Sequence, residues 1–363
     1  MGVKQLLKNV KKGKLGKNIG ISTGIPKLDA VIYGIQKKYL YTIGADTSGG
    51  KTSFAIDVFV YNLVKNSGDT PISILYYSFE MSADILYAKI LSLYIWDTFN
   101  EVVTFEDILS LTNPISDEHE VLVDKSTDWL YSLQDKVTIY DKSLTADGVY
   151  GSCKEWLRQF GEFKQIDEHR EDYKEIDPER YKVVLIDHVA LLSGSDTKKA
   201  KIDLLAKYMI YFRNKCNITG IFVQQLNRNA KGMDRRQGGY ELIQLDDFKD
   251  TSDTLDASEV VFALFYPYRE KLAKCEGFLI KNTLESKFRL LQIIKNRYGL
   301  SDKNIGLNFF GEISLFREMP KPEEITDYSE FIELNYKNTL KLKEKDEDVC
   351  EKPQISQENK FIL

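Results

Sequence analysis

The segment ADTSGGKT at residues 45–52 carries the residue types that bind a chain of phosphates. It fits the pattern G-x-x-x-x-G-K-[ST], except that Ala45 stands in place of the first glycine. In such a loop the backbone N–H groups surround the phosphates, the lysine reaches the outer phosphate oxygens and the hydroxyl binds Mg²⁺. We therefore predict that ATP and Mg²⁺ bind here. The nucleotide-binding residues would be Ala45, Asp46, Thr47, Ser48, Gly49, Gly50, Lys51 and Thr52. The alternative is a glycine-rich turn that contains Gly-Lys-Thr by chance.

Two acidic residues that end apolar runs could supply the rest of a hydrolytic site, which needs a metal-binding carboxylate and a base that orients water. Asp187 ends the run VVLID, where it would hold Mg²⁺ beside Thr52. Glu80 closes ILYYSFE, at the sheet edge where open α/β folds bind ligands. Both have structural alternatives, since Asp187 could be a capping residue and Glu80 a first-turn residue of the next helix.

The segment GIFVQQLNR contains two glutamines near its end, and basic residues follow it. Gln225 is a candidate sensor of the γ-phosphate, whereas Gln224 points to the opposite side of a strand. Residues 227–250 are rich in arginine, lysine and glycine, which is typical of a mobile phosphate-contacting segment and also of a solvated loop. Both amides could equally be ordinary polar residues at a strand end.

A basic pair lies in the late segment LQIIKNRYG. Lys295 and Arg297 alternate along a predicted strand, so their side chains emerge on one face. A subunit that placed them at a neighbour's γ-phosphate would provide an arginine finger in trans. The alternative is a solvent-facing basic pair near a hairpin.

The elements that must position these residues follow from the hydrophobic pattern. Apolar runs at 39–45, 72–80, 181–192 and 219–226 predict buried parallel strands. Helical patterns separate them, at Thr52–Val64, Ala83–Trp96 and Ile202–Asn214. This alternation indicates an α/β fold with a mostly parallel central sheet. After residue 258 the runs VVFALFYP, FRLLQIIKNR and LNFFGEISLF predict an antiparallel extension of the sheet. A short strand is expected at VTIYD, and a solvated loop over the charged tract from Lys164 to Arg180.

Composition limits the class of protein. The 363 residues are 43% hydrophobic and can bury a large core. Four scattered cysteines without a C-x-x-C pair argue against a zinc site or a disulfide framework. Without an apolar run of roughly 20 residues or an apolar N-terminal stretch, we expect no membrane association and a cytoplasmic location. The net charge of −5 neither supports nor excludes DNA binding. We expect a lysine-rich helix and linker at 1–18, the α/β domain at 19–320 and a charged, disordered tail at 321–363.

In their order along residues 20–318, these motifs resemble the motor domain of DnaB-type hexameric replicative helicases. GISTGIPKLDAVIYGIQ is similar to the segment that opens that domain, and ADTSGGKT to its alanine-led phosphate loop. YYSFEMS resembles the segment with the catalytic glutamate, VVLIDHVALL the Mg²⁺-binding strand and VQQLNR the sensor segment. IIKNRYG and LNFFGEISLF resemble the trans-acting hairpin and the closing strand. The resemblance implies a RecA-like fold and assigns catalysis to Glu80, Lys51, Gln225, Lys295 and Arg297.

The same resemblance implies single-stranded DNA as a partner. The DNA-binding loop of the family reads Asp, apolar, Arg, Glu, Ser, Gly, and here positions 247–252 read DFKDTS, so the signs of the charges are kept and the glycine is absent. The implied DNA contacts are Arg228, Lys249, Asp250, Thr251 and Ser252. The resemblance further implies a homo-hexameric ring, 5′ to 3′ travel, and primase, a helicase loader or a single-strand-binding protein as partners. We find no counterpart of the family's N-terminal collar domain, which would suit a phage-encoded helicase in the cytoplasm of its host.

Two other functions use the same core. One is a recombinase-like or clock-protein-like ATPase that assembles on DNA or on partners without unwinding. The other is a non-catalytic nucleotide-binding assembly or loading factor. The pair Lys295 and Arg297 favours the helicase over the first, and the position of Glu80 argues against the second.

Overall fold

A nine-stranded sheet organises the chain in the computed structural model, which describes residues 2–14, 18–168, 170–226 and 242–328. The strands are β1 (Leu40–Ala45), β2 (Ile72–Ser78), β3 (Val137–Tyr140), β4 (Gly161–Asp167), β5 (Arg170–Glu175), β6 (Tyr181–Asp187), β7 (Thr219–Gln225), β8 (Val260–Phe265), β9 (Lys274–Cys275), β10 (Phe278–Leu279), β11 (Phe288–Asn296), β12 (Lys303–Phe310) and β13 (Leu315–Glu318). The large sheet has the order β13-β12-β11-β8-β1-β7-β6-β2-β3. Two small hairpins, β9–β10 and β4–β5, lie outside it.

Helices cover both faces of this sheet. They are α1 (Gly2–Lys14), α2 (Pro26–Ile32), α3 (Lys51–Ile56), α4 (Asn62–Asn66), α5 (Ala83–Phe99), α6 (Phe105–Ile108), α7 (Asp117–Lys125), α8 (Thr127–Gln134), α9 (Ala146–Leu157), α10 (Lys198–Cys216) and α11 (Ser252–Ala257). A π-helical turn at Asp57–Tyr61 joins α3 to α4, where the sequence predicts one helix. On one face Phe54 and Phe59 enter the core, and on the other Met209 and Phe212 do so. This three-layer α/β arrangement confirms the predicted fold class.

The parallel part of the sheet is larger than the sequence indicates. Six strands, from β3 through β8 in sheet order, run parallel to their neighbours. The sequence predicted VVFALFYP, which forms β8, as part of the antiparallel extension. This prediction was wrong for the pairing of β8 with β1, because Tyr41 aligns with Val260 in parallel register. The strand follows helix α11, and a helical crossover returns the chain in the same direction. Among the described strands, the antiparallel extension consists of β11, β12 and β13.

The charged tract from Lys164 to Arg180 was predicted as a loop, and most of it is a hairpin instead. Strands β4 and β5 pair antiparallel, with Phe163 opposite Tyr173 and their ring centroids 4.7 Å apart. Tyr173 is buried, while most of the charged side chains of the hairpin stay in water. A single row of inward-facing aromatic side chains is sufficient to dock the hairpin. The many charged residues hide the alternation of inward and outward side chains in the sequence.

The ends of the chain bear on two further expectations. Helix α1 forms where a short helix was predicted, and its apolar residues Val3, Leu6, Leu7 and Val10 are exposed. Residues 329–363, which hold most of the predicted tail, lie outside the described residues. Over the described ranges, no helix combines the length and the apolar character that crossing a bilayer requires.

Candidate functional site

The segment at 45–52 has the strand-loop-helix context that a phosphate loop requires. Ala45 ends β1, and α3 begins at Lys51. Gly49 N donates to the Asp46 carbonyl over 2.9 Å, which closes the turn. Gly50 has a φ of 95°, a left-handed conformation that a residue with a Cβ rarely adopts. The loop is thus held open at the amino end of a helix, where backbone N–H groups favour an anion.

Asp187 and Thr52 lie next to each other at the start of α3. The Asp187 side chain is buried, and its Oδ2 accepts the Tyr76 hydroxyl over 3.0 Å. Burial raises the pKa of Asp187, against the lowering effects of its hydrogen bond with Thr52 and of the nearby Lys51 charge. Within the described residues Asp187 Oδ1 has no hydrogen-bond partner. A buried carboxylate oxygen without a partner, next to a hydroxyl, fits the oxygen ligands that Mg²⁺ prefers.

Glu80 lies beside the loop lysine. Its Oε2 is 3.4 Å from Lys51 Nζ and 3.7 Å from His188 Nε2, and its side chain is 43% exposed. Burial, followed by the charge of Lys51, lowers the pKa of His188 to about 4, so this imidazole is neutral at physiological pH. Lys51, Glu80 and Asp187, which sequence reasoning selected from three separate segments, therefore converge at one edge of the sheet. His188 was given no role from the sequence.

Gln225 and Gln224 leave β7 on opposite sides, as the strand period predicts. Gln225 Nε2 donates to Thr47 Oγ1 over 2.7 Å, so the candidate sensor touches the phosphate loop. Gln224 is buried and donates to the Thr254 hydroxyl in α11. One strand end is therefore bonded both to the loop and to the helix that follows the predicted DNA-binding segment.

Lys295 and Arg297 lie together, but at the edge of the sheet opposite their own phosphate loop. Lys295 aligns with Val261, near the amino end of β8, whereas the loop follows the carboxyl end of β1. The strands between these edges are roughly 17 Å long. Lys295 Nζ donates to the Leu255 carbonyl over 2.6 Å, and Arg297 donates to the Asp256 carbonyl over 3.1 Å and to Glu259 Oε1 over 3.2 Å. The shared face is as predicted.

Two arginines that sequence reasoning missed contact the carbonyl side of the loop. Arg289 is buried, and its Nε donates to the Gly49 carbonyl over 2.8 Å. Arg269, on the segment after β8, donates to the Thr47 carbonyl. The signal for Arg289 was present, since a charged residue inside the apolar run FRLLQII needs a buried partner.

The predicted DNA contacts are only partly placed. Arg228 lies outside the described residues, as do the side chains of Lys249, Asp250, Thr251 and Ser252. The backbone of the last four follows a 3₁₀ helix, Leu245–Thr251, into α11. Phe248, just before them, is buried against Gly44 of β1, where an added Cβ would lie 2.2 Å from its ring. The segment is thus anchored one residue from the phosphate loop.

Comparison with known proteins agrees with these motifs. Residues 20–106 match the family described as DnaB-like helicase C terminal domain. Over this segment the chain is similar to the DnaB-like helicases. Two proteins from two strains of Helicobacter pylori, each named replicative DNA helicase DnaB, are 27% and 26% identical to it. They align with 79% and 74% of this chain and with 52% and 49% of their own lengths, so the chain spans about half of each.

Solved structures confirm the RecA-like fold. An ATPase domain matches with a TM-score of 0.65 at 17% identity, over 88% of this chain and 99% of that one. A DnaB-like replicative helicase, solved in a study of its interactions with primase, matches with a TM-score of 0.64 at 16% identity, over 87% of this chain and 66% of that one. The expected resemblance to the helicase motor domain is therefore confirmed.

Proposed function

We propose that this chain is the motor of a DNA helicase in replication and that it hydrolyses ATP. One observation carries the proposal: Lys51, Glu80 and the Thr52–Asp187 pair come from distant segments and meet at the phosphate loop. A chain that only bound nucleotide would not need a carboxylate at Glu80. The names of the Helicobacter pylori relatives support DNA as the substrate.

The residues at the phosphate loop have different roles in ATP hydrolysis. Thr52 and Asp187 would hold Mg²⁺, and the ion would neutralise part of the phosphate charge. Lys51 gives up its contact with Glu80 to bind the β- and γ-phosphate oxygens, which leaves the Glu80 carboxylate free to orient a water molecule and accept its proton. His188 lies beside Glu80 and is neutral. It therefore does not hold the Glu80 carboxylate by charge in the position that it has when it contacts Lys51.

A second copy of the chain completes the site. Lys295 and Arg297 lie at the edge opposite their own loop, so they reach a γ-phosphate only across a subunit interface. A homo-hexameric ring provides such an interface for every subunit. The resemblance to the family supports this assembly, with Arg297 as the trans-acting finger and Lys295 beside it.

Gln225 would connect hydrolysis to DNA. Its bond to Thr47 reports the state of the loop to the chain that follows β7, which contains Arg228 and leads to Lys249, Asp250, Thr251 and Ser252. These residues would grip single-stranded DNA, and 5′ to 3′ movement follows the resemblance. As a further partner we propose a primase, a helicase loader or a single-strand-binding protein.

The test measures ATP turnover of the purified chain with and without single-stranded DNA, at several protein concentrations, together with its mass in solution. A forked DNA substrate is then used to measure unwinding. We expect turnover that rises with DNA and with protein concentration, a ring-sized mass and unwinding that needs ATP. Turnover that ignores DNA, or a forked substrate that stays paired, would instead favour the ATPase that assembles without unwinding.

A further inference from the structure

We propose that Arg289 is a positioning residue for the phosphate loop: by binding the Gly49 carbonyl, it fixes the Gly50 N–H toward the phosphates. The inference rests on the nucleotide binding contained in the proposed function and requires nothing of the DNA steps. Arg289 lies in β11, outside the loop motif, and contacts the loop from the side of the antiparallel extension.

The geometry of the peptide unit gives the reason. The peptide between Gly49 and Gly50 is trans, so its C=O and its N–H point in opposite directions. The guanidinium bonds the C=O over 2.8 Å. The N–H of Gly50 must then point to the side of the loop that faces away from Arg289. Two glycines in succession have few barriers to rotation of this peptide, so a fixed donor at the carbonyl has a large effect.

The guanidinium itself is firmly held. Its Nη1 donates to the carbonyls of Ser286 and Phe288 over 2.7 and 2.8 Å. The Tyr266 ring stacks on it at 3.6 Å, and the Phe309 ring lies at 4.8 Å. All of these contacts are with backbone carbonyls or with ring faces. Among the ion pairs of the described residues, none within 4.0 Å joins Arg289 to a carboxylate.

The same aromatic cluster packs behind Gly50. A Cβ at Gly50 would lie 3.3 Å from Phe316 and 3.5 Å from Phe309, and the two rings stack at 4.4 Å. The loop is therefore supported from behind by rings and by one buried cation. Burial lowers the pKa of Arg289 to about 10, which still leaves it charged at neutral pH. A buried positive charge behind the loop also favours an anion in front of it.

The experiment compares Arg289→Met with wild type in the binding of ADP and of inorganic pyrophosphate, by titration calorimetry on the full chain. Loss of one charge-assisted hydrogen bond to the loop should weaken both ligands by about tenfold to a hundredfold. Equal factors for ADP and pyrophosphate would place the loss at the phosphates, because pyrophosphate has no base or sugar. Arg289→Lys keeps the charge, but its single nitrogen cannot serve Gly49 and the other carbonyls together, so we expect a smaller loss.

Arg180→Met is the matched control. Arg180 also stacks on a ring, that of Phe160 at 5.3 Å, and donates to Ser73 Oγ over 3.0 Å, but it precedes β6 at the opposite edge of the sheet. Thermal unfolding without ligand measures the structural cost of each variant. We expect Arg180→Met to lose stability and to bind ADP as wild type does.

Several outcomes would overturn the proposal. One is wild-type affinity in Arg289→Met, or in Arg289→Lys if the methionine variant does not fold. Another is an affinity loss in Arg180→Met as large as that in Arg289→Met at a similar loss of stability. Absence of ADP binding by the wild-type chain would overturn it together with the proposed function. A wild-type chain that binds ADP and fails to unwind DNA would contradict the helicase alone and leave the role of Arg289 standing.

Discussion

Gln225 donates a hydrogen bond to the Thr47 hydroxyl over 2.7 Å, which joins the end of β7 to the phosphate loop. We propose that a change in the loop on loss of the γ-phosphate acts through this bond on the end of β7. The next segment of chain contains the proposed DNA contacts.

We expect Gln225→Ala to lower the ratio of DNA-stimulated to basal ATP turnover. The substitution removes the amide that bonds Thr47 and leaves the strand in place. Turnover is measured with and without single-stranded DNA. Gln134→Ala, at an exposed position at the end of α8, serves as the control. Unaltered stimulation in Gln225→Ala would show that the signal takes another route.

Glu80→Gln should bind ATP and lose turnover by about 100-fold or more, as expected on removal of a general base. The amide keeps the size of the side chain and cannot accept a proton. Binding is measured with a non-hydrolysable ATP analogue and turnover by phosphate release. The exposed Glu101→Gln is the control. If Glu80→Gln hydrolyses ATP at the wild-type rate, Glu80 is not the base.

Mixing two inactive variants tests action in trans. Lys51→Ala removes the phosphate contact of a subunit, and Arg297→Ala removes its proposed finger. In a mixed ring, some interfaces combine an intact loop from one variant with an intact Arg297 from the other, so turnover should reappear. Each variant alone, at the same total concentration, is the control. A mixture as inactive as its components would mean that both residues must belong to one chain.

Asp57 should make folding stability depend on pH. This carboxyl in the π-helical turn is buried and accepts hydrogen bonds from Phe316 N and from Asn62 Nδ2. Burial, the largest effect, raises its pKa from 3.8 to about 7. The folded chain therefore keeps a proton across this window that the unfolded chain has released, and the free energy of unfolding falls as pH rises from 4 to 7.

The slope from this one group is at most about 1.4 kcal/mol per pH unit. Asp57→Asn should remove that part of the slope, so its stability relative to wild type improves as pH rises to 7 and then stays constant. Denaturant unfolding at pH 5, 6, 7 and 8 measures the difference. The exposed Asp69→Asn should keep the wild-type slope. Parallel curves for wild type and Asp57→Asn would refute the raised pKa.

The sequence was informative where local pattern decides structure. The apolar runs located the strands. The loop motif identified Lys51 and Thr52, which the fold brings to the buried end of β6. It was less informative where a partner distant in sequence decides. Nothing near Val260 reveals that β8 enters the sheet beside β1, because that depends on how α11 crosses over. The hairpin at β4 and β5 was missed because its charges hide one aromatic row.

The buried arginine illustrates the same limit. Arg289 is 240 positions away from Gly49, and only the fold brings the two together. The positions of Lys295 and Arg297 show the opposite case, since their alternation gave the shared face correctly. Their position opposite their own loop depends on the register in which β11 pairs with β8, which the sequence pattern did not specify.

The contact between Gly44 and Phe248 limits how this protein can vary. An alanine at position 44 would collide with the ring of Phe248, in the middle of the 3₁₀ helix, and displace that helix, although residue 44 touches neither nucleotide nor DNA in our proposal. Substitutions at position 44 should therefore impair ATP turnover and DNA binding together, because the phosphate loop and the proposed DNA-binding segment pack at this contact. An engineered protein could accept a larger residue at position 44 only after Phe248 is replaced by a smaller apolar residue.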